Sequence, residues 1–373
     1  MFDGKKVVVA GHICLDITPI FPMWWNSSEN MLRPGKLLAM DGVSVNSGGA
    51  VANTGLALNL LGVDVSLIAK IGNDEFGRLI IECLDKYHID SEKDLIKSPN
   101  VSTSYTVVVA PPDSDRMFLH CPGANDTFNT GDVDYSKIRE ASLFHFGYPP
   151  LMRRMYENDG EELVRLFQDV KSLGVATSLD MAGVDGDSEA GGVNWNYILK
   201  RVVPYVDFFL PSAEELCYMM DRDRYNEWVA RAQGDDMMKY VDPVEDVAPL
   251  AKKLIEQYHA KVVVIKCGCK GMYYETADYH ILAEIGANIP INLKDWTEKS
   301  GWVKSFEPDV IKSGTGAGDV SIAAFIATLL EGMSIKDCVR FATAEGASCL
   351  ESYDALSSIR TIPELSKMFL TGM

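Results

Sequence analysis

One short segment of the chain has residue types that could do chemistry: residues 313–319, Ser-Gly-Thr-Gly-Ala-Gly-Asp. An apolar, helix-forming run over 320–330 follows it directly, and Gly332 is the predicted helix end. Glycines let a ligand approach the backbone closely, and the first amides of a helix have no partners within that helix. With the helix dipole, they predict an anion site that has an ionised acid, Asp319, in its first turn.

The segment alone leaves two interpretations open. In the first, the amides of Gly316, Ala317 and Gly318 stabilise a phosphoryl group in transfer, and Asp319 accepts a proton from the attacking hydroxyl. In the second, Asp319 only stabilises a helix start after a glycine turn. The P-loop motif, a G-x-G-x-x-G after the first strand and the protein-kinase motifs do not occur in the sequence.

The composition limits the classes of protein to consider. The 373 residues include 35 Lys and Arg against 53 Asp and Glu, a formal net charge of −18. About half of the residues are hydrophobic, which excludes a disordered chain, a collagen-like repeat and a small disulfide scaffold. The acidity argues against nucleic acid or an anionic membrane as partners, because both need basic patches. It does not exclude a small anionic ligand.

The sequence also predicts a cytoplasmic protein. The apolar run at 7–10 is too short for a secretory signal, and no stretch of about 18 apolar residues predicts a transmembrane helix. Of the eight cysteines, only Cys267 and Cys269 lie close together, which is a poor zinc pattern. We expect the cysteines to be reduced and mostly buried.

Strands and helices alternate along most of the chain, which predicts an α/β fold with a central, mostly parallel sheet. A hairpin over 101–121 interrupts this alternation, and with the segments at 13–20 and 38–45 it predicts a small separate β-sheet. A second hairpin is predicted from 272–275 and 280–283. The segments at 221–242 and 284–306 are interpreted as insertions. Because no linker divides the chain, we expect a single domain over 1–373.

Two motifs together resemble the ribokinase-like (PfkB) family of carbohydrate kinases. Residues 314–319 are similar to its C-terminal signature, and the glycine stretch at 48–53 with Ile-Gly-Asn-Asp-Glu-Phe-Gly at 71–77 is similar to its N-terminal signature. The resemblance covers nearly the whole chain. It implies a central parallel sheet, a β-lid over a sugar site, and ATP- and Mg²⁺-dependent phosphorylation of a hydroxyl, usually a primary alcohol.

The resemblance also implies roles for individual residues. Asp319 would be the base, and Gly316, Ala317 and Gly318 would form the anion hole. The acceptor would be bound by Asp16, Gly48, Gly49 and Asn53. The nucleotide would be bound by Lys266, Gly268, Thr315 and Thr343, with Glu215 near Mg²⁺ through water.

Some positions depart from the family pattern. Ser212 stands where an N-x-x-E element has asparagine, and Lys266 stands where threonine is common. Lys266 either contacts a phosphate or points to solvent. Ser313 and Gly314 replace an Asp-Thr pair, which puts a monovalent-cation site in doubt.

The sequence predicts the type of reaction, but it leaves several classes of acceptor open. Ala50 and Val51 stand where a sugar phosphate would call for Lys or Arg, which favours a neutral sugar. Arg116, in the predicted hairpin, either reaches an acidic acceptor or is exposed. A nucleoside or vitamin-precursor kinase of the same fold, or a non-catalytic binding protein, remains as an alternative. A second copy of the chain could pair through the lid.

Overall fold

A computed structural model of the chain describes residues 4–22, 24–25, 34–112 and 117–371. Its strands are β1 (Lys6–Gly11), β2 (Cys14–Ile20), β3 (Gly42–Gly48), β4 (Asp64–Gly72), β5 (Leu95–Ser98), β6 (Tyr105–Val109), β7 (Met117–Cys121), β8 (Leu143–Gly147), β9 (Ala176–Asp180), β10 (Phe208–Phe209), β11 (Val262–Lys266), β12 (Met272–Thr276) and β13 (Ser300–Val303). Its α-helices are α1 (Gly49–Leu60), α2 (Glu75–Asp85), α3 (Ser91–Asp94), α4 (Tyr135–Arg139), α5 (Arg153–Ser172), α6 (Trp195–Val202), α7 (Ala213–Met220), α8 (Arg222–Ala232), α9 (Ala248–Tyr258), α10 (Tyr279–Leu282), α11 (Leu293–Trp296), α12 (Ala317–Leu330), α13 (Ile335–Cys349) and α14 (Ile362–Thr371).

Nine strands form the main sheet in the order β13-β12-β11-β10-β9-β8-β1-β4-β5. The seven strands from β11 to β5 are parallel, and β12 and β13 extend one edge antiparallel. Helices cover both faces. In β1, Val7 and Val9 face one core while Val8 and Ala10 face the other, and all four are buried. This explains why the sequence of β1 is a continuous apolar run and does not alternate between apolar and polar residues.

A second sheet of four strands, in the order β3-β2-β6-β7, forms the lid. It contains the three predicted lid segments, but β3 lies at Gly42–Gly48 instead of 38–45. The pairing with β2 explains the shift, because it runs from Ile20 opposite Gly42 to Cys14 opposite Gly48, where α1 begins. Large apolar side chains are exposed on the lid, among them Val43, Met117 and Leu119. Pairing of two copies through this surface stays a prediction.

The predicted strand at 280–283 is wrong. Residues 280–282 belong to α10 and Ala283 follows its end, because the Asp278 carboxylate accepts hydrogen bonds from the amides of His280 and Ile281 and so starts a helix. The strand that pairs with β12 is β13, from the segment interpreted as an irregular insertion. The other predicted insertion forms α8 and a short turn over Met237–Tyr240.

Of the helices among the described residues, none is long and apolar enough to cross a membrane. All eight cysteines fall within the described residues, and none of them forms a disulfide.

The segment at 284–306 contributes to the core through Trp296. Its indole is fully buried, packs edge-on against Phe208 and Phe325, and donates a hydrogen bond to the carbonyl of Met333 at 3.1 Å. We expect Trp296→Ala to lower the free energy of unfolding by about 3–5 kcal/mol, the cost typical of a large buried aromatic. Urea denaturation measures it. Trp302→Ala, at a side chain that is 42% exposed, is the control and should cost clearly less; equal losses would contradict this account.

Candidate active site

The site lies at the carboxyl ends of the parallel strands, where the side chains that leave neighbouring strands meet. The chain after β1 bonds to β8, since the amide of His12 donates to the carbonyl of Gly147 at 3.2 Å. The amide of Tyr148, directly after β8, donates to the carbonyl of Asp180 at the end of β9. Lys266, the last residue of β11, reaches back to the Asp180 carboxylate with its ammonium at 2.6 Å. These contacts define one continuous cleft.

Asp319, in the first turn of α12, is the centre of this cleft. It is 2% exposed, and one carboxylate oxygen accepts a hydrogen bond from the Asn53 amide at 2.9 Å. The Tyr148 hydroxyl donates toward both carboxylate oxygens, at 2.8 and 2.9 Å. Thr54 lies 3.4 Å from one of them. Three parts of the fold therefore fix the position of the carboxylate: α1, the end of β8 and α12 itself.

The surroundings of Asp319 set its proton affinity. Burial raises the pKa of the Asp319 carboxyl above its ordinary value, and the hydrogen bonds from Asn53 and Tyr148 and the nearby Lys266 charge oppose that rise. Each of these groups stabilises the ionised form. A carboxylate that stays ionised while its pKa is raised is suited to accept a proton near neutral pH.

The glycines before Asp319 shape the turn that enters α12. Gly316 has φ +78°, and a Cβ there would lie 2.2 Å from the Cβ of Ala355, so the position requires glycine. A Cβ on Gly318 would lie 3.6 Å from the Lys266 ammonium, so this end of the helix and the ammonium face the same space. The Ala317 amide instead donates to the carbonyl of Gly314 at 3.3 Å, and is committed to the turn in this conformation.

Lys266 does not point to solvent, because its side chain is only 13% exposed. Burial of the Asp180 carboxyl raises its pKa, and the Lys266 ammonium opposes that shift. Lys266 lines a cavity of about 320 Å³ with Asp180, Glu215, Gly268 and Gly318. The cavity places this one ammonium next to the start of α12, an arrangement that is suited to a phosphate group.

Glu215 has a structural partner as well as a place in this cavity. The Ser212 hydroxyl accepts from the Glu215 amide, and the Glu215 carboxylate accepts from the Ser212 amide at 2.8 Å, which is a capping box at the start of α7. Serine in place of the family asparagine therefore still caps the helix.

The described residues contain no cluster of three or more protein ligands that could hold a metal ion alone. Mg²⁺ in nucleotide sites is usually held by one or two carboxylates together with phosphates and water. Glu214 and Glu215 line the cavity and fit that mode of binding.

Three other residues are predicted to bind the nucleotide, and the structure places them in three different surroundings. Gly268 lies on the cavity wall directly beside Met238, so the segment at 221–242 supplies part of this wall. Thr315 lies in the turn before α12, where its amide donates to the Ser313 hydroxyl. The hydroxyl of Thr343 donates to the carbonyl of Val339 within α13. It is therefore directed into its own helix and not into the cleft.

The predicted acceptor residues come together under the lid. A Cβ on Gly48 would lie 2.1 Å from the Asp16 carboxylate, and a Cβ on Gly49 would lie 2.5 Å from the His12 ring. The two glycines thus let α1 begin against these side chains. Burial is the largest cause that raises the pKa of Asp16, to about 6. Arg116, the candidate cation for an acidic acceptor, lies outside the described residues.

Sequence reasoning missed several residues of the cleft, chiefly His12, Tyr148 and Asp180. All three stand at or directly after the carboxyl end of a buried strand. That position is the general signal for a ligand site in a parallel sheet, and a search of every strand end would have found them.

Comparisons with known proteins agree with this architecture. The model of the pfkB family carbohydrate kinases matches residues 5–362. Among curated relatives, the probable fructokinase-5 of Arabidopsis thaliana is 24% identical, over 86% of this chain and 87% of that protein. The 5-dehydro-2-deoxygluconokinase of Clostridium beijerinckii is 23% identical, over 84% of this chain and 81% of that protein. The structure of Arabidopsis thaliana ribokinase complexed with ribose and ATP matches with a TM-score of 0.69 at 20% identity, over 98% of each chain.

The chain belongs to the pfkB family of carbohydrate kinases, and its fold is ribokinase-like. It is a phosphotransferase that acts on a sugar hydroxyl. The predicted family, fold class and enzyme class are confirmed.

The hydrogen bonds to Asp319 predict how activity depends on pH. Tyr148→Phe removes a donor that stabilises the ionised carboxylate, so the pKa of Asp319 rises further. Asp319 is then protonated at higher pH, and if it accepts the proton of the reacting hydroxyl, the acid limb of kcat/KM should move upward by about one pH unit. A pH profile on the sugar that the enzyme phosphorylates measures this shift.

Tyr135→Phe is the matched control, because Tyr135 makes a similar hydroxyl–carboxylate bond to Asp169, between side chains outside the cleft. It should leave the profile unchanged. An acid limb that stays in place in Tyr148→Phe would show that this bond does not govern the base.

Proposed function

We propose that the protein transfers the γ-phosphoryl group of ATP to a hydroxyl, preferably a primary one, of a neutral sugar. The observation that carries this proposal is the buried Asp319 carboxylate at the start of α12, between the lid and the Lys266 cavity. On one side it faces groups suited to an acceptor, and on the other an anion site. A protein that only binds a sugar or nucleotide has no need of a base at this position.

In the proposed reaction, the acceptor hydroxyl attacks the γ-phosphorus in line while the bond from that phosphorus to the bridging oxygen of ADP breaks. Asp319 takes the proton of the attacking hydroxyl. The start of α12 and the Lys266 ammonium stabilise the charge on the transferring oxygens. Mg²⁺ bound with the nucleotide would neutralise phosphate charge, with Glu215 as its partner through water. The products are ADP and a sugar phosphate.

The choice of a neutral acceptor depends on the charges around it. The relatives include proteins named as fructokinases and one named for a sugar acid, 5-dehydro-2-deoxygluconate. In this chain, the acceptor side holds the carboxylates of Asp16 and Asp319. The hydrogen bonds and ion pairs of Asp16 among the described residues involve no Lys or Arg. A negative charge on the acceptor would therefore meet repulsion from these carboxylates, and none of the described residues pairs Asp16 with a cation that would offset it.

The proposal is tested by a phosphorylation screen with magnesium-ATP across hexoses, pentoses, sugar acids and nucleosides. We expect a neutral sugar to be the best acceptor. Asp319→Asn should fold like the wild type and lower turnover about 10²–10⁴-fold, the range typical of a lost general base.

Asp337→Asn is the matched control, since Asp337 is an exposed acid in the first turn of α13. It should keep wild-type turnover. If Asp319→Asn also kept it, Asp319 would be a helix-start acid only. A sugar acid or a nucleoside as the best acceptor would overturn the proposed substrate class.

Lys266 allows a second test, because its structural and phosphate-binding roles can be separated. Lys266→Met leaves Asp180 buried without its cation and should lower stability. It should also raise the KM for ATP about tenfold or more, since a hydrogen bond to a charged group is worth about 1.5–3 kcal/mol. The double variant with Asp180→Asn removes both charges and should recover stability without recovering the KM for ATP. Recovery of both would show that Lys266 acts only through Asp180.

A further inference from the structure

A row of polar side chains crosses the lid in register. Asp16 in β2 is paired with Asn46 in β3 and with Thr106 in β6, and Thr106 is paired with His120 in β7. Residues paired in this way present their side chains on the same face of a sheet. The row is joined by contacts, since Nδ1 of His120 lies 3.0 Å from the Thr106 hydroxyl. One face of the lid therefore places His120 on the same side as Asp16.

His12 brings this row into contact with the base. It follows β1, and its ring centroid lies 5.2 Å from that of His120 and 5.9 Å from that of Tyr148. The Tyr148 hydroxyl in turn bonds to Asp319. His12 thus links the lid row, through its contact with His120, to the tyrosine that bonds to Asp319.

The polar atoms of these imidazoles are not used by the protein. Both ring nitrogens of His12 and Nε2 of His120 are buried, and none has a hydrogen-bond partner among the described residues. His12 is 2% exposed. Leaving a buried polar atom unpaired is unfavourable, so three such atoms in one place indicate groups kept for a ligand.

The charge state of the two rings indicates the kind of ligand. Burial lowers the pKa of His12 and of His120, and the neighbouring ring lowers that of His12 further. Both are therefore neutral at pH 7. A neutral imidazole has one N–H that donates and one nitrogen that accepts, which matches a hydroxyl group and gives no charge to hold a carboxylate or phosphate.

We propose that His12 and His120 recognise the acceptor by binding hydroxyls other than the one that is phosphorylated. The proposal rests on the sugar-kinase function proposed above and extends it to the specificity of the site. The enzyme then selects neutral acceptors with at least two hydroxyls besides the reacting one. Removal of either such hydroxyl from the acceptor removes the same interaction as removal of the imidazole that binds it.

The test combines variants with deoxy acceptors. His120→Phe and His12→Phe keep a planar ring without the polar atoms, and each should raise the acceptor KM about tenfold. The KM for ATP should stay unchanged. A deoxy acceptor that lacks the hydroxyl bound by one of these histidines should have a KM raised by a similar factor in the wild type. In the variant of that histidine, its KM should not rise further. His280→Phe, at an exposed histidine outside the cleft, is the matched control.

Stability of the ligand-free protein separates recognition from a structural role. Because His12→Phe removes two unpaired buried nitrogens, its unfolding temperature without ligand should stay level or rise. The increase in unfolding temperature that the acceptor gives the wild type should become smaller. If a phenylalanine ring at position 12 does not fit beside Gly49, the comparison is made with His120→Phe alone, because His120 lies in the lid strand β7.

The outcomes distinguish this inference from the function on which it rests. Phosphorylation of a neutral sugar by the wild type, with an unchanged acceptor KM in both variants, would overturn the role of the histidines and leave the kinase intact. If removal of the hydroxyl raised the acceptor KM by the same factor in the variant as in the wild type, the role of the histidines would be overturned as well. Failure of the wild type to phosphorylate any sugar in the screen would overturn the proposed function itself.

Discussion

The arrangement of the molecule depends on one buried carboxylate, Asp319. A carboxylate that is 2% exposed remains charged only if donors surround it, and these come from residues far apart in sequence, Asn53 and Tyr148. α1 must pack along α12 to deliver Asn53, and the backbone at Tyr148 adopts a left-handed conformation to aim its hydroxyl. The Asp319 carboxylate is therefore positioned by the fold as a whole, and not by its own loop.

The same cleft shows how an acidic protein can accommodate a nucleotide. The net charge of −18 argues against polyanionic partners, yet it is an average over the surface. In the cleft, Lys266 stands among Asp180, Glu215 and Asp319, each of which raises its pKa. These acids keep the lysine charged although it is buried. The acidity thus keeps in the protonated form the one ammonium that an entering phosphate would meet.

Much of the fold could be predicted from sequence, because the parallel strands are short apolar runs and the α12 motif is local in the chain. The strand at 280–283 failed because apolar spacing over four residues does not separate a strand from one helical turn, and the Asp278 cap decided it. Tyr148 and His12 were missed for another reason. Their place at strand ends is visible in the sequence, but which of these side chains meet in one cleft depends on the strand order of the sheet, and no local pattern shows that order.

The pairing register of strands β6 and β7 in the lid determines which side chains face the cleft. Side chains alternate along a strand, so a slip of one residue in β7 would turn His120 outward and bring Leu119 to the inner face. The pairing of β6 with β7 holds this register from Tyr105 opposite Cys121 to Val109 opposite Met117. It presents a polar row to the cleft and leaves Leu119 largely exposed on the other side. In the proposed role of His120, acceptor recognition depends on strand pairing in the lid, so that specificity can change there while Asp319 and its donors stay fixed.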